Sequence, residues 1–207
     1  MELKLIADGL RVERGALAVI EGLSFAVAGG EALLLTGANG AGKTTLLRGI
    51  AGLIAPAAGT VRLEGGDGDA TVGEQCHYVG HMNGLKASLT AAENLGFWAR
   101  YLGLDGEDAG RRVRAALERL ELSALAGIPA GYLSAGQKRR LGLARLLVAQ
   151  RPVWLLDEPT VSLDAASAGV LAGVVAEHVK GGGIAVAATH LPLGIAGARE
   201  LRLGARV

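Results

Sequence analysis

The nine residues Gly37-Ala38-Asn39-Gly40-Ala41-Gly42-Lys43-Thr44-Thr45 constrain this chain more than any other stretch. They fit the pattern G-x-x-x-x-G-K-[ST], follow the apolar run Ala32–Thr36, and open a segment, Lys43–Leu53, that reads as a helix. Glycines at these spacings let successive backbone N–H groups turn inward toward phosphate oxygens, and the helix that follows adds the positive end of its dipole. Lys43 would set a point charge against the β- and γ-phosphates of a nucleotide, and Thr44 a hydroxyl against Mg²⁺. The competing reading is an ordinary glycine-rich turn. A complete pattern between a strand and a helix outweighs it.

Such a loop asks for a second acidic element. Val153-Trp154-Leu155-Leu156-Asp157-Glu158-Pro159 is an apolar run ending in two adjacent carboxylates. Acids at the end of a buried strand are costly to desolvate unless a cation or a reacting group faces them. Asp157 can hold Mg²⁺ opposite Thr44, directly or through a water, and Glu158 can serve as the general base that polarises an attacking water. On its own this stretch would read as a solvated strand end; the phosphate-binding loop reverses that preference.

The rest of the chain punctuates as an α/β protein. Apolar runs at Leu3–Ala7, Leu23–Val27, Thr60–Leu63 and His77–Gly80 are separated by breaks such as Ala28-Gly29-Gly30. From Leu89 to Ala149 the spacing becomes helical, with Leu95, Trp98, Leu102 and then Val113, Leu117, Leu120 on one face. Two continuous apolar runs, Val153–Leu156 and Ile184–Ala188, suit parallel strands buried on both faces, with a helix over Ala165–Val179 between them. The expected fold is one α/β domain: a nucleotide-binding core from residues 1–82 and 150–207, and an inserted helical part over 83–149.

Composition excludes several alternatives. The 33 glycines and 37 alanines suggest a linker, but the hydrophobic fraction of 50% supplies a core that disordered chains lack. With aromatics at 3%, that core must be aliphatic. A net charge of +1 and the absence of a basic block argue against nucleic acid as a partner. A single cysteine, Cys76, fits a reducing compartment and a place in a core strand. The start MELKLIADGL has no signal-peptide pattern, so secretory export is not expected. The uncharged stretch Gly181–Ala198 is broken by its glycines and by Pro192, and reads as a buried strand and a loop rather than a membrane span.

Leu133-Ser134-Ala135-Gly136-Gln137 precedes a further helix, Leu141–Ala149; alone it is a good N-cap and little more. Lying about twenty residues before the acid-ended strand, it makes the chain resemble the ATP-binding cassette (ABC) family over nearly its whole length. The resemblance implies a P-loop nucleotide-binding fold with a parallel sheet, an N-terminal antiparallel β part and an inserted α-helical subdomain. ATP and Mg²⁺ are the implied cofactors. Gly37–Thr45 matches the Walker A motif, Val153–Glu158 Walker B, Ser162-Leu163-Asp164 the D-loop, and Thr189-His190 the switch histidine that contacts the γ-phosphate. It further implies a dimer of cassettes, in which Ser134 and Gly136 complete the ATP site of the second chain.

Two positions depart from the family pattern. The aromatic that stacks on adenine is missing from Val12-Glu13-Arg14-Gly15, where the Arg14 guanidinium could stack instead. The Q-loop glutamine is replaced by His81. The stretch Tyr78–Leu95, with Ile128–Gln137 and the ending His190–Leu201, resembles the ATPase subunits of cytochrome c maturation, or haem-exporter, ABC complexes. That implies integral-membrane ABC subunits as partners, a peripheral place on the cytoplasmic face of the bacterial inner membrane, and haem-chaperone release driven by ATP hydrolysis. The loop at Lys86–Asn94 should then face the membrane partner and keep exposed apolar area, with Thr90 and Glu93 as a helix-starting capping box. There is no C-x-x-C-H, and no haem site is evident on this chain. The alternatives are the ATPase of another small-molecule exporter, a soluble ABC ATPase without a transport role, and a nucleotide-regulated module with little turnover.

Overall fold

A computed structural model describes residues 2–15, 17–189, 194–195 and 197–204. The elements, in chain order, are β1 (Lys4–Arg14), β2 (Leu17–Ala28), β3 (Ala32–Thr36), α1 (Lys43–Ile50), β4 (Ala58–Glu64), β5 (Cys76–Val79), α2 (Ala91–Tyr101), α3 (Gly106–Arg119), α4 (Ala135–Val148), β6 (Val153–Asp157), α5 (Ala165–Lys180), β7 (Ile184–Ala188) and β8 (Arg199–Arg202). They divide into two compact units. One comprises Met1–Gly80, Arg151–Pro159 and Ala172–Val207; the other His81–Gln150 and Thr160–Leu171.

The first unit carries both sheets. β3, β5, β6, β7 and β8 form a parallel sheet in the order β5-β6-β7-β3-β8, and β2-β1-β4 form an antiparallel one. Every residue of β6 and of β7 is buried, as continuous apolar runs demand when both faces of a strand are covered. β1 and β2 extend well past the apolar runs read from the sequence. Their sheet buries one face, and bulges between Ala7 and Leu10 and again up to Glu13 break the alternation, so Leu10 and Val12 reach the core without an unbroken apolar signal. The core itself is aliphatic, built on Leu5, Leu33, Leu35, Leu46, Leu47, Val153, Leu155 and Val186. Each such side chain contributes roughly 2 kcal/mol by leaving water.

Helix α1 stops at Ile50, three residues before the expected end at Leu53, because Gly52 turns left-handed (φ 71°) and the Leu53 N–H folds back onto the Arg48 carbonyl.

In the second unit α2, α3 and α4 pack pairwise through Leu95, Ala99, Val113, Leu117, Leu141 and other buried residues. Thr90 and Glu93 form the expected capping box of α2. Helix α4 begins at Ala135, six residues earlier than the apolar spacing suggests, because Ser134 and Gln137 cap it reciprocally. The charged run Lys138-Arg139-Arg140 hides that first turn from a reading based on apolar period. Among the described residues no helix is long and apolar enough to cross a membrane.

Candidate nucleotide-binding site

The loop from β3 to α1 is shaped by what its glycines permit. Gly37 takes φ 133°, and the Leu203 carbonyl packs against its Cα where a side chain would stand. Gly42, at φ 99°, is the N-cap of α1 and brings no side chain, so the first N–H groups of the helix receive no side-chain cap and can meet an anion. Lys43 is 8% exposed, and its ammonium donates to the carbonyls of Gly37 (2.7 Å) and Ala38 (3.1 Å). The loop's own oxygens hold it where a phosphate would compete for it.

The acidic pair lies across from this loop, at the end of β6. Thr44 Oγ1 donates to Asp157 Oδ1 at 3.0 Å, and Asp157 is buried. Glu158 leaves the strand in the left-handed region, φ 47°, with its N–H donating to the Ala188 carbonyl at 2.8 Å. That conformation costs a non-glycine residue about 1 kcal/mol or more. A cavity of about 570 Å³ results, lined by Asn39, Gly40, Gly42, Lys43, Thr44 and Thr45 of the loop and helix start, by Arg48, Asp157 and Glu158, and by Arg14, Leu17 and Val19 of the antiparallel sheet. Leu17 is 69% exposed, so the sheet presents apolar surface and one guanidinium here rather than an aromatic ring.

Two residues of this region were not singled out from the sequence. Tyr78 pairs with Leu155 in the β5–β6 ladder, and Asp157 is two residues further along the same face of β6. The Tyr78 hydroxyl lies 3.5 Å from Asp157 Oδ2, and Arg48 Nε donates to the Tyr78 oxygen at 3.3 Å. Burial, foremost, pushes the Tyr78 phenol above its ordinary pKa, while its hydrogen bond with Tyr78 raises that of Arg48. The signal for Tyr78 existed only in the strand pairing. Cys76, at the start of β5, is pushed up to about 12 by burial, so its thiol stays protonated and inert.

His81, Leu133 to Gln137 and Asp164 belong to the second unit. Ser134 and Gln137 are occupied with each other: the Gln137 N–H donates to Ser134 Oγ at 3.3 Å, and the Ser134 N–H to Gln137 Oε1 at 2.8 Å. The Ser162 carbonyl packs on Gly136, 3.0 Å from where a Cβ would sit, and Leu133 is buried. Asp164 accepts from the Ser167 N–H at 2.8 Å at the start of α5, which holds its carboxyl below the usual range. His81 is exposed, and His190 lies outside the described residues.

A phosphate-shaped loop, a threonine hydroxyl against a buried aspartate, and an outward-turned glutamate together suit phosphoryl chemistry on a nucleotide. The profile of the ABC transporter family matches residues 20–161, about two thirds of the chain. The chain belongs to the ABC transporter family. It is similar to the cytochrome c biogenesis ATP-binding export protein CcmA of Rhodopseudomonas palustris (strain BisB5), at 55% identity over 97% of this chain and 98% of that protein. The protein of the same description from Rhizobium meliloti (strain 1021) is 50% identical over 97% of this chain and 98% of its own length. Among solved structures, the ATP-binding subunit of an ABC transporter aligns with a TM-score of 0.81 at 29% identity, covering 90% of this chain and 80% of that one. A dimeric ATP-binding cassette bound to ADP and Pi shares the fold, with a TM-score of 0.83 at 24% identity, 96% of this chain and 94% of that one. The chain is thus an ABC-type ATPase, and ATP is its nucleotide.

Proposed function

We propose that this protein is the ATP-hydrolysing subunit of a membrane ABC complex that exports haem, or releases a haem-loaded chaperone, in c-type cytochrome biogenesis. The observation that carries this reading is the likeness to cytochrome c biogenesis export proteins, at 50–55% identity over nearly the full length of both chains. The whole chain acts as one ATP-binding domain, with the nucleotide-binding core in residues 1–82 and 150–207 and the helical part in 83–149.

Gly37 to Thr45 cradle the phosphates through backbone N–H groups, and Lys43 exchanges its loop carbonyls for the β- and γ-phosphates. Thr44 and Asp157 fit Mg²⁺: they are hard oxygen donors already 3.0 Å apart, and such an ion takes one or two protein ligands beside phosphates and water. When bound, Mg²⁺ neutralises charge on the phosphate oxygens. Glu158, turned toward the cavity, accepts the proton of the attacking water. Arg14 stacks on the base. His190 senses the γ-phosphate, His81 stands at the Q-loop position, and Asp164 stands in the D-loop. A second copy supplies Leu133 to Gln137, with Ser134 and Gly136 facing the nucleotide.

The partners we infer are integral-membrane subunits of the cytochrome c maturation system, with this chain peripheral on the cytoplasmic face of the inner membrane. Support comes from the second unit's surface: Met82 is 84% exposed and Ala87 is open, while Phe97 and Tyr101 on α2 add exposed aromatic area in a chain with few aromatics. Nucleic acid and a haem ligand set have no part in this reading. Deleting the gene should abolish covalent haem in c-type cytochromes, measured by haem-stained gels of membrane fractions. The intact gene should restore it and a Lys43→Ala version should not. Undiminished c-type cytochromes in the deletion strain would refute the assignment.

A further inference from the structure

Asp157 has two carboxylate oxygens, and the structure aims a different hydroxyl at each. Thr44 Oγ1 is 3.0 Å from Oδ1, and Tyr78 Oη is 3.5 Å from Oδ2. The direction of the second contact follows from the donor inventory. Arg48 Nε can only donate, and it does so to the Tyr78 oxygen at 3.3 Å. An ionised carboxylate can only accept. The Tyr78 hydroxyl is thus the donor to Asp157, and through these two contacts donation runs from Arg48 to Tyr78 to Asp157. All three groups sit on regular elements, α1, β5 and β6, rather than on a loop, and strand pairing sets Tyr78 and Asp157 on neighbouring strands.

We propose that Tyr78, backed by Arg48, is a positioning residue for the divalent cation of this site: it fixes the rotation of the Asp157 carboxylate so that its remaining lone pairs face the seat beside Thr44. The inference rests on the reading of Thr44 and Asp157 as the cation-holding pair. The carboxylate torsion of an aspartate is intrinsically broad, so each hydrogen bond made to it narrows the angles it samples. Donors at both oxygens narrow that range before the ion arrives. Magnesium demands near-ideal octahedral geometry, which makes its affinity sensitive to the orientation of a single ligand. Residues that hold a metal ligand in this way commonly alter metal affinity by about ten-fold or more when removed; at a 3.5 Å contact the smaller end of the scale applies.

The test compares binding of a non-hydrolysable ATP analogue in EDTA and in Mn²⁺. The ratio of the two dissociation constants measures the contribution of the cation, separately from turnover. Tyr78→Phe keeps the ring and removes only the hydroxyl. It should leave analogue affinity in EDTA unchanged and shrink the ratio about ten-fold. Arg48→Met should shrink the ratio about two-fold alone and add little to Tyr78→Phe, as coupled neighbours do. A full ratio in Tyr78→Phe, together with a lost ratio in Asp157→Asn, overturns the role of Tyr78 and leaves the cation site standing. A ratio of one in the unaltered chain, or a full ratio in Asp157→Asn, overturns the cation reading and this inference with it. An equal loss of affinity in EDTA overturns the inference too, since the hydroxyl would then be holding the pocket as a whole.

Discussion

Glu158 is held in a backbone conformation that few glutamates adopt, φ 47°, immediately after a fully buried strand. A neutral isostere keeps that geometry and removes only the basicity. Glu158→Gln should therefore bind ATP as the unaltered chain does and lose at least about 10²-fold in hydrolysis rate, measured as phosphate release under saturating ATP. Retained turnover would show that another group activates the water. Gly37 makes the opposite kind of demand. A methyl there would meet the Leu203 carbonyl and force an unfavourable φ of 133°, so Gly37→Ala should cost about 3 kcal/mol. In a chain of this length that lowers the melting temperature by roughly 6–12 °C. A melt within 2 °C of the unaltered protein, a limit set from the same scaling, would mean that the contact yields cheaply.

At the level of elements, the loop before α2 is organised by one buried side chain. Asn94 donates to the carbonyls of Lys86, Leu89 and Thr90, and its oxygen accepts from the Lys86 N–H at 2.8 Å. The same loop is tied to the segment entering the Ser134 turn, through the Ala130 N–H on Leu89 and the Gly131 N–H on Ala87, each at 2.8 Å. Asn94→Ala removes four hydrogen bonds at once and takes the acceptor from the Lys86 N–H, and should cost about 3 kcal/mol, whereas Thr90→Ala loses a single cap worth about 1 kcal/mol. Denaturant midpoints of the two variants test that order, and equal losses would contradict it. The capping box of α2 was legible in Thr90–Glu93, because a cap is a contact between residues three apart, whereas at Ser134 only an N-cap was read and the reciprocal bond from Gln137 that starts α4 was not. The clamp by Asn94 was not legible, since it needs the loop to double back over eight residues onto a helix already in place.

Across the molecule as a whole, the stability of the first unit should depend on pH through the stack of half-buried His178 on buried Trp154. The His178 ring lies 3.9 Å from that of Trp154 and within 4° of parallel, with Nε2 3.2 Å from the Ile184 carbonyl. Burial, foremost, holds the His178 pKa below its ordinary 6.5. Below pH 6.5 the unfolded chain therefore takes up a proton that the folded one refuses. Stability from this group is complete above pH 6.5 and is lost as pH falls toward the folded value. His178→Phe keeps the stack without the titration, so its melting temperature should fall less than that of the unaltered protein between pH 7.5 and pH 5. Parallel curves for the two would exclude His178 as the source.

The local chemistry was legible in the order of residues alone: a glycine loop between strand and helix, two acids closing an apolar run, a capping pair at the start of α2, and strands apolar along their whole length. Each of these is decided by neighbours within a turn or a strand, so the chain carries it wherever it folds. Tertiary structure decided which distant residues share the site. Thr44 and Asp157 are 113 residues apart, and Tyr78 and Asp157 are 79 apart. The strand order β5-β6-β7-β3-β8 brings Tyr78 beside the aspartate, and packing sets Leu203 against Gly37. No periodicity encodes such pairings; they follow from the packing in which β6 and β7 bury both faces at the centre of the parallel sheet.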